Sequence, residues 1–129
     1  ITFLGERRDV ERIYRALDVY VLASYREGFP RSAMEAAASG LPLVLTDIRG
    51  CRQVVDHGLN GLLVPPAEAG PLAAAVARLA DDPVLRARLG AASLSRAAAE
   101  FDQQRVIDTS LATYRRLLEA RGISPPTPA

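Results

Sequence analysis

This chain of 129 residues contains no lysine, one cysteine and one histidine, and it has no apolar run near the ~20 residues needed to cross a bilayer. Cys51 cannot form an intrachain disulfide, which favours a reducing compartment. His57 has no cysteine or second histidine as a partner, so the pattern predicts a surface turn rather than a metal site. A net charge of +1 favours neither a nucleic acid nor an anionic membrane as a partner.

The composition that is present, 49% hydrophobic and 24% charged, is ordinary for a globular domain, and the length suits one domain. In the first half, apolar runs typical of strands alternate with amphipathic segments typical of helices. The predicted strands are residues 2–4, 19–23, 43–46 and 62–64, and the predicted helices between them are 10–17, 32–39 and 52–56. The unbroken apolar run at 19–23 predicts a strand covered on both faces. Helical segments follow at 72–80, at 83–89 or beyond, at 93–99 and at 102–120.

Strands that alternate with helices imply parallel β-α units joined by right-handed crossovers. We therefore predict an α/β fold, an incomplete doubly wound (Rossmann-like) parallel sheet of about four strands with a C-terminal helical extension. We expect residues 1–121 to form the domain and residues 122–129 to be a frayed, proline-rich tail. Because the chain starts directly on a strand-like segment without methionine, we expect a fragment of a longer polypeptide.

A pair of carboxylates, Glu27 and Glu35, frames a Gly/Pro segment between a predicted strand and a predicted helix. Strand, loop and helix N-terminus in this order is the geometry with which open α/β sheets bind phosphorylated ligands. An acid on each side of the loop can accept hydrogen bonds from hydroxyl groups, which a phosphate site alone would not need. Phosphate and polyol together suggest a nucleotide-sugar.

The same segment resembles a known signature. Glu27-Gly28-Phe29-Pro30, then Glu35-Ala36, then Gly40-Leu41-Pro42 is similar to the E-x7-E signature of retaining glycosyltransferases of the GT-B fold, family four. The resemblance continues upstream through residues 3–5 and 14–24, and downstream from Gly50 through residues 54–66. It covers roughly residues 2–120 and implies most of the C-terminal, donor-binding domain of such an enzyme.

The resemblance implies roles for individual residues. Glu35 would accept the two ribose hydroxyls of the donor, while Ser32 would approach the diphosphate. Glu27, the catalytic candidate, would lie against the donor sugar and support positive charge at the anomeric carbon. The other donor-binding candidates would offer mainly backbone groups to the sugar, phosphates or nucleobase: Gly28, Phe29, Pro30, Arg31, Gly5, Glu6 and Arg7. The dipole of the helix that begins here favours the diphosphate anion.

Most of these roles have a structural alternative. Ser32-x-x-Glu35 fits a helix capping box, in which serine and glutamate satisfy backbone N–H groups. Glu27 fits a solvated loop acid, and Arg31 an exposed arginine at a helix start. Residues 5–7 fit an ordinary strand-to-helix turn, and Phe29 is expected to pack and fix the loop.

The activity that the resemblance implies is sugar transfer from a nucleoside diphosphate donor to an acceptor hydroxyl, with retention at the anomeric carbon. No cofactor and no metal ion are expected, because positive groups stabilise the leaving diphosphate in this family. An Arg/Lys pair for that task and the acceptor-facing groups lie in relatives on segments absent here. The expected partners are therefore the nucleotide-sugar donor and a missing N-terminal domain. We expect the fragment to be inactive alone and to self-associate.

The expected location is the cytoplasm, with any contact to the inner membrane face made peripherally through the missing domain. Gln53 departs from the family pattern, which usually has glutamate before the Val-Val pair, so no role is assigned to it.

Two other functions remain as alternatives. A nucleotide-sugar epimerase of the same fold would be expected to show additional acid and base residues, which this chain does not offer. A non-catalytic, flavodoxin-like module of the receiver type needs an acidic pair and a lysine beside its acceptor aspartate. Asp47 follows a predicted strand, but neither accompanies it.

Overall fold

The computed structural model describes residues 1–123 of the chain. In chain order its elements are α1 (Val10–Ala16), β1 (Tyr20–Leu22), α2 (Arg31–Ala38), β2 (Leu43–Thr46), α3 (Arg49–Arg52), β3 (Gly61–Val64), α4 (Ala69–Asp81), α5 (Pro83–Glu100) and α6 (Gln103–Glu119). None of the helices in this part of the chain combines the length and the apolar character needed to cross a bilayer.

The three strands form one parallel sheet in the order β1-β2-β3. Leu43 at the start of β2 pairs with Tyr20 on one side and with Gly61 on the other, so all three strands run in register from the same end. A helix follows β1 and another follows β2, as parallel connections require. The predicted α/β class with a parallel sheet and C-terminal helices is confirmed.

The core lies on both faces of β2, and all four residues of this strand are buried. Leu43 and Leu45 point into one layer, together with three fully buried alanines of α2. Val44 points into the other layer, which is formed with α4 and α5. Because alternate strand residues face opposite sides, an unbroken apolar run is what a strand covered on both faces needs.

Residues 2–4 do not form a strand, so this prediction was wrong. The segment pairs with none of β1 to β3, and the Phe3 side chain is 93% exposed. A strand needs a neighbour to pair with, and among the described residues this segment has none. The described sheet has three strands rather than about four.

β1 is also shorter and less buried than residues 19–23 were predicted to be. It has three residues, and the Val21 side chain is 40% exposed. Among the described residues β1 lies at the sheet edge and pairs only with β2. Apolar composition alone therefore did not distinguish this edge strand from a central one.

The short helix α3 begins at Arg49, three residues before the predicted 52–56. The buried side chain of Asn60 explains the difference. Its Oδ1 accepts a hydrogen bond from the Asp56 N–H, and its Nδ2 donates to the Val54 carbonyl oxygen. These bonds hold the chain after Gln53 in a turn, because the backbone groups concerned are no longer available to a helix.

The C-terminal segment is helical as predicted, but 83–89 and 93–99 belong to one helix, α5. In α6 no residue is buried, and four of its apolar side chains are between 46% and 66% exposed: Val106, Leu111, Tyr114 and Leu117. The helix ends at Glu119 and is followed by Gly122, whose φ is 69°, and the Ile123 N–H donates to the Leu118 carbonyl oxygen. This is a common glycine-terminated helix end. The rest of the expected tail, residues 124–129, lies outside the described part of the chain.

Candidate donor-binding site

Glu27 lies in the loop that joins the carboxyl end of β1 to α2, and it is partly buried. Its Oε1 accepts a hydrogen bond of 2.7 Å from the Ser24 hydroxyl. The Ser24 carbonyl oxygen in turn accepts one of 2.5 Å from the Thr46 hydroxyl at the end of β2. The loop acid is therefore oriented by the sheet edge, whereas a solvated loop acid would rotate freely.

The backbone of this loop rests against Gly50 in α3. A Cβ atom at that position would lie 2.5 Å from the Glu27 carbonyl oxygen and 2.7 Å from the Gly28 carbonyl oxygen. Both distances are far below van der Waals contact, so only glycine allows α3 and the loop to approach this closely. Gly50 thus determines how closely the Glu27 loop approaches α3.

The residues after Glu27 form the turn into α2. Gly28 is exposed, and Phe29 makes an edge-to-face contact with Phe101, with ring centroids 5.9 Å apart. This contact supports the predicted packing role of Phe29. Pro30 is buried and is the N-cap residue of α2. Arg31 is exposed at the first helical position, and within residues 1–123 its side chain has no ion-pair or hydrogen-bond partner.

Glu35 and Ser32 do not form a capping box, so that alternative was wrong. The N-cap of α2 is Pro30, and Ser32 already lies inside the helix. Glu35 Oε2 instead accepts a hydrogen bond of 3.2 Å from the Tyr14 hydroxyl. The Tyr20 hydroxyl donates to Ser32 Oγ at 2.7 Å. Glu35 and Ser32 of α2 are therefore each contacted by a tyrosine of another element.

The two tyrosines pack against each other edge to face, with ring centroids 6.0 Å apart. Burial, followed by the hydrogen bond to Glu35, raises the pKa of Tyr14 to about 12. Burial also raises the pKa of Tyr20. Both hydroxyls thus remain protonated near neutral pH and can act as hydrogen-bond donors. Burial likewise raises the pKa of the Cys51 thiol, which makes this core residue a poor nucleophile.

The predicted nucleobase loop, residues 5–7, is exposed and precedes α1. Gly5 has a φ of 66°, and Arg7 forms two hydrogen bonds with Asp9, of 2.9 and 2.8 Å. Among residues 1–123 the loop makes no hydrogen bond to the Glu27–Glu35 segment. The structure therefore places Glu27, Ser32 and Glu35 together in the loop after β1 and on α2. Residues 5–7 are linked to this segment through α1, whose Tyr14 contacts Glu35.

Two cavities flank this segment. A groove of about 870 Å³ lies beside Glu35, between α2, α5 and the start of α6, and its lining includes Phe29, Arg31 and Phe101. A smaller pocket of about 200 Å³ lies at the carboxyl ends of the three strands, where Tyr25, Thr46 and Glu68 contribute polar atoms. The groove thus gives open space beside Glu35, and the smaller pocket lies on the edge of the sheet where α/β folds bind ligands.

His57 belongs to the turn between α3 and β3, as predicted. Its Nδ1 accepts a hydrogen bond of 3.0 Å from the Leu63 N–H, and Gly58 has a φ of 80°. Within the described 123 residues, no three His, Cys, Asp or Glu side chains are grouped as a metal site would require. Gln53 ends α3, and its carbonyl oxygen accepts a hydrogen bond from Arg96.

Four residues that shape the site were not predicted to do so: Tyr14, Tyr20, Ser24 and Gly50. Tyr14 had been placed in the apolar stripe of a helix, and its ring is indeed buried. Ser24 precedes Glu27 by three residues, a spacing at which a serine often bonds to a nearby polar group in a turn. Nothing in the local sequence indicates the contact of Gly50 with the Glu27 loop, because that contact depends on how α3 is placed.

The sequence profile of the glycosyl transferases group 1 family matches residues 1–82, more than half of the chain. The chain belongs to this family. It is 37% identical over 126 residues to D-inositol 3-phosphate glycosyltransferase from Mycobacterium marinum, a match that covers 92% of the chain and 26% of that enzyme.

Solved structures agree with this family. Sucrose-phosphate synthase from Thermosynechococcus elongatus is similar with a TM-score of 0.88 and 34% identity, over 92% of this chain and 30% of that one. Anabaena HepE, solved in complexes with UDP and with UDP-glucose, has a TM-score of 0.79 and 29% identity, over 86% and 32% of the two chains. The chain spans about a third or less of the length of these three proteins. The resemblance to GT-B glycosyltransferases and the Rossmann-like class are confirmed.

Proposed function

We propose that this glycosyltransferase chain is the donor-binding part of a retaining enzyme, which transfers a sugar from a nucleoside diphosphate to an acceptor hydroxyl. The observation that carries the proposal is the placement of two partly satisfied carboxylates, one in the loop that follows β1 and one on the helix that this loop enters. Tyr14 occupies one oxygen of Glu35, and Ser24 occupies one oxygen of Glu27. Each acid keeps its other oxygen for a hydroxyl of the ligand.

The family membership supports a different role for each acid, one contacting the ribose and the other the donor sugar. Glu35 would accept hydrogen bonds from the ribose hydroxyls, and its carboxylate is held on α2, beside open space. Glu27 would accept hydrogen bonds from the donor sugar and stabilise positive charge that develops at the anomeric carbon as the bond to the diphosphate breaks. HepE, which has the same fold, was solved with UDP and UDP-glucose, which supports a uridine nucleotide as the first donor to test.

The diphosphate would lie at the start of α2. Helix N-termini favour anions, because their first N–H groups are not used within the helix. Arg31 and Ser32 are the first two residues of this helix and directly follow the turn of Gly28, Phe29 and Pro30. No metal ion is needed in this scheme, since a positive side chain and backbone dipoles face the leaving group. Gly5, Glu6 and Arg7 would contribute backbone contacts to the nucleobase.

Family membership makes a transferase a better interpretation than the epimerase of the same fold, and it argues against a receiver-type module. We further propose that the enzyme works in the cytoplasm, that its acceptor groups belong to an N-terminal domain, and that the 129-residue chain alone has no transferase activity.

The isolated chain is expected to bind UDP-glucose with a Kd of about 1 mM, corresponding to about −4 kcal/mol. In a titration followed by amide chemical shifts, the largest changes should occur in residues 27–35 and 5–7. Glu35→Gln should weaken binding about tenfold, since a hydrogen bond to a charged group contributes about 1.5–3 kcal/mol.

The matched control is Glu119→Gln, at the far end of α6, which should bind as the wild type does. Shift changes confined to other surfaces, or equal affinities of the Glu35 and Glu119 variants, would contradict the proposed site. A lower melting temperature of Glu35→Gln with unchanged affinity would assign the acid a purely structural role.

The isolated chain is also expected to self-associate, because α6 presents an exposed apolar side and β1 leaves one edge unpaired among the described residues. Sedimentation velocity should show a mass that rises with concentration. Leu111→Gln together with Leu117→Gln should shift the chain toward monomer, if exchange or pairing of α6 is responsible. A single monomeric boundary at all concentrations would show that these surfaces are already protected.

A further inference from the structure

Tyr14 and Tyr20 connect three elements of the candidate site. Tyr14 belongs to α1, Tyr20 to β1, and their hydroxyls reach Glu35 and Ser32 on α2. We propose that these two tyrosines are positioning residues, which hold the Glu35 carboxylate and the Ser32 hydroxyl in the orientation that receives a nucleoside diphosphate. This inference rests on the proposed function and extends it to residues that do not themselves contact the donor.

The Tyr14 contact matters because Glu35 is otherwise unrestrained. Glu35 is exposed, and within residues 1–123 its carboxylate has no other hydrogen-bond or ion-pair partner. A free glutamate side chain loses considerable rotamer entropy when a ligand fixes it, and a bond made beforehand removes part of that loss. The Tyr14 ring is only 5% exposed, so the hydroxyl that holds Glu35 is itself rigidly placed.

The Tyr20 contact determines what Ser32 can do. A serine hydroxyl has one hydrogen to donate and two lone pairs that accept. Tyr20 donates to one lone pair at 2.7 Å, and the described part of the chain offers no acceptor to the Ser32 hydrogen. That hydrogen is therefore free to point toward an anionic oxygen. A donor hydroxyl at the start of a helix suits the phosphate end of the ligand rather than its ribose.

Tyr14 also connects the two parts of the proposed nucleotide site. It is the single buried residue of α1, so it anchors that helix. The loop with Gly5, Glu6 and Arg7 leads directly into α1. A change at Tyr14 can thus affect the ribose acid through the hydroxyl, and the nucleobase loop through the ring. Tyr14→Phe removes only the first effect, because phenylalanine keeps the ring in place.

Double-mutant cycles with UDP as the probe test this assignment on the 129-residue chain. Tyr14→Phe should weaken UDP binding about five- to tenfold in the wild-type background and have no effect in the Glu35→Ala background, because its partner is gone. Tyr20→Phe should behave in the same way with Ser32→Ala. The crossed pairs, Tyr14→Phe with Ser32→Ala and Tyr20→Phe with Glu35→Ala, should be close to additive. Tyr114→Phe on the exposed side of α6 is the matched control and should bind UDP normally.

A tyrosine that only supports the fold would weaken UDP binding equally with and without its partner, and this result would overturn the assignment. So would unchanged affinity of both phenylalanine variants. The two cycles use tyrosines of different elements. If one variant has a folding defect, which its amide spectrum would show, the other cycle still tests the assignment. Failure of the wild-type chain to bind UDP at all would instead refute the proposed function, together with the inference that rests on it.

Discussion

Replacing Glu27 with alanine in the complete transferase is expected to lower kcat by about two to three orders of magnitude, which is the usual effect of removing one group that stabilises transition-state charge. UDP affinity should change much less, because the proposed partner of Glu27 is the sugar and not the nucleotide. Steady-state kinetics and UDP titration of the same protein separate the two effects.

The structure offers an intermediate variant for this experiment. Ser24→Ala keeps the Glu27 carboxylate but removes the 2.7 Å hydrogen bond that orients it. Its kcat should fall between wild type and Glu27→Ala. Glu119→Ala, an exposed acid at the far end of α6, is the matched control and should retain kcat. Normal turnover of the Glu27→Ala variant would contradict a catalytic role of Glu27.

Gly50→Ala is expected to lower kcat/KM about 100-fold without altering any group that contacts the ligand. The added Cβ would lie 2.5 Å from the Glu27 carbonyl oxygen, so the loop or α3 must move. A misplacement of about 1 Å at a reacting group can cost a factor of about 100. Overpacking of this kind should also reduce the free energy of unfolding by about 1–3 kcal/mol, measurable by urea denaturation.

Gly90→Ala provides the control for lost stability. A Cβ there would overlap the carbonyl oxygen of Gly40, where α5 crosses the end of α2. This variant should lose a similar amount of stability but keep kcat/KM within a few-fold, when both are assayed well below their melting temperatures. If kcat/KM falls in both variants in proportion to the lost free energy of unfolding, the effect of Gly50→Ala is one of stability alone. That result would contradict a role of Gly50 in placing the Glu27 loop.

Much of the fold could be predicted because local patterns decide it. β2 is buried on both faces, as an unbroken apolar run indicates, and α2 ends where Gly40 and Pro42 interrupt it. The loop between β1 and α2, with Glu27 before the helix and Glu35 within it, followed from the order of strand, Gly/Pro turn and helix. The helix start itself was placed only approximately: Pro30 is the N-cap, and the serine taken as a cap lies inside α2.

The errors share a physical origin. Residues 2–4 and 19–23 have strand-like compositions, but whether an apolar run pairs and becomes buried depends on which strands lie beside it. The first has no neighbour, and the second has one. In the same way, the side chain of Asn60 forms hydrogen bonds with the Asp56 N–H and the Val54 carbonyl oxygen. The apolar periodicity predicts a helix at 52–56, in which these groups would bond within the helix.

The sequence by itself determined most of the elements, the class of fold and the places of the two acids, Glu27 in the loop after β1 and Glu35 on α2, because these features follow from local patterns. Only the tertiary structure decided which groups hold those acids. Tyr14 and Glu35 are 21 positions apart, and Thr46 lies 22 positions from the Ser24 carbonyl that it fixes. Such contacts form when parallel strands bring their carboxyl ends together and when a buried ring places its hydroxyl against a neighbouring element. No local pattern encodes them, since they are set by the strand order and by the close approach that Gly50 permits.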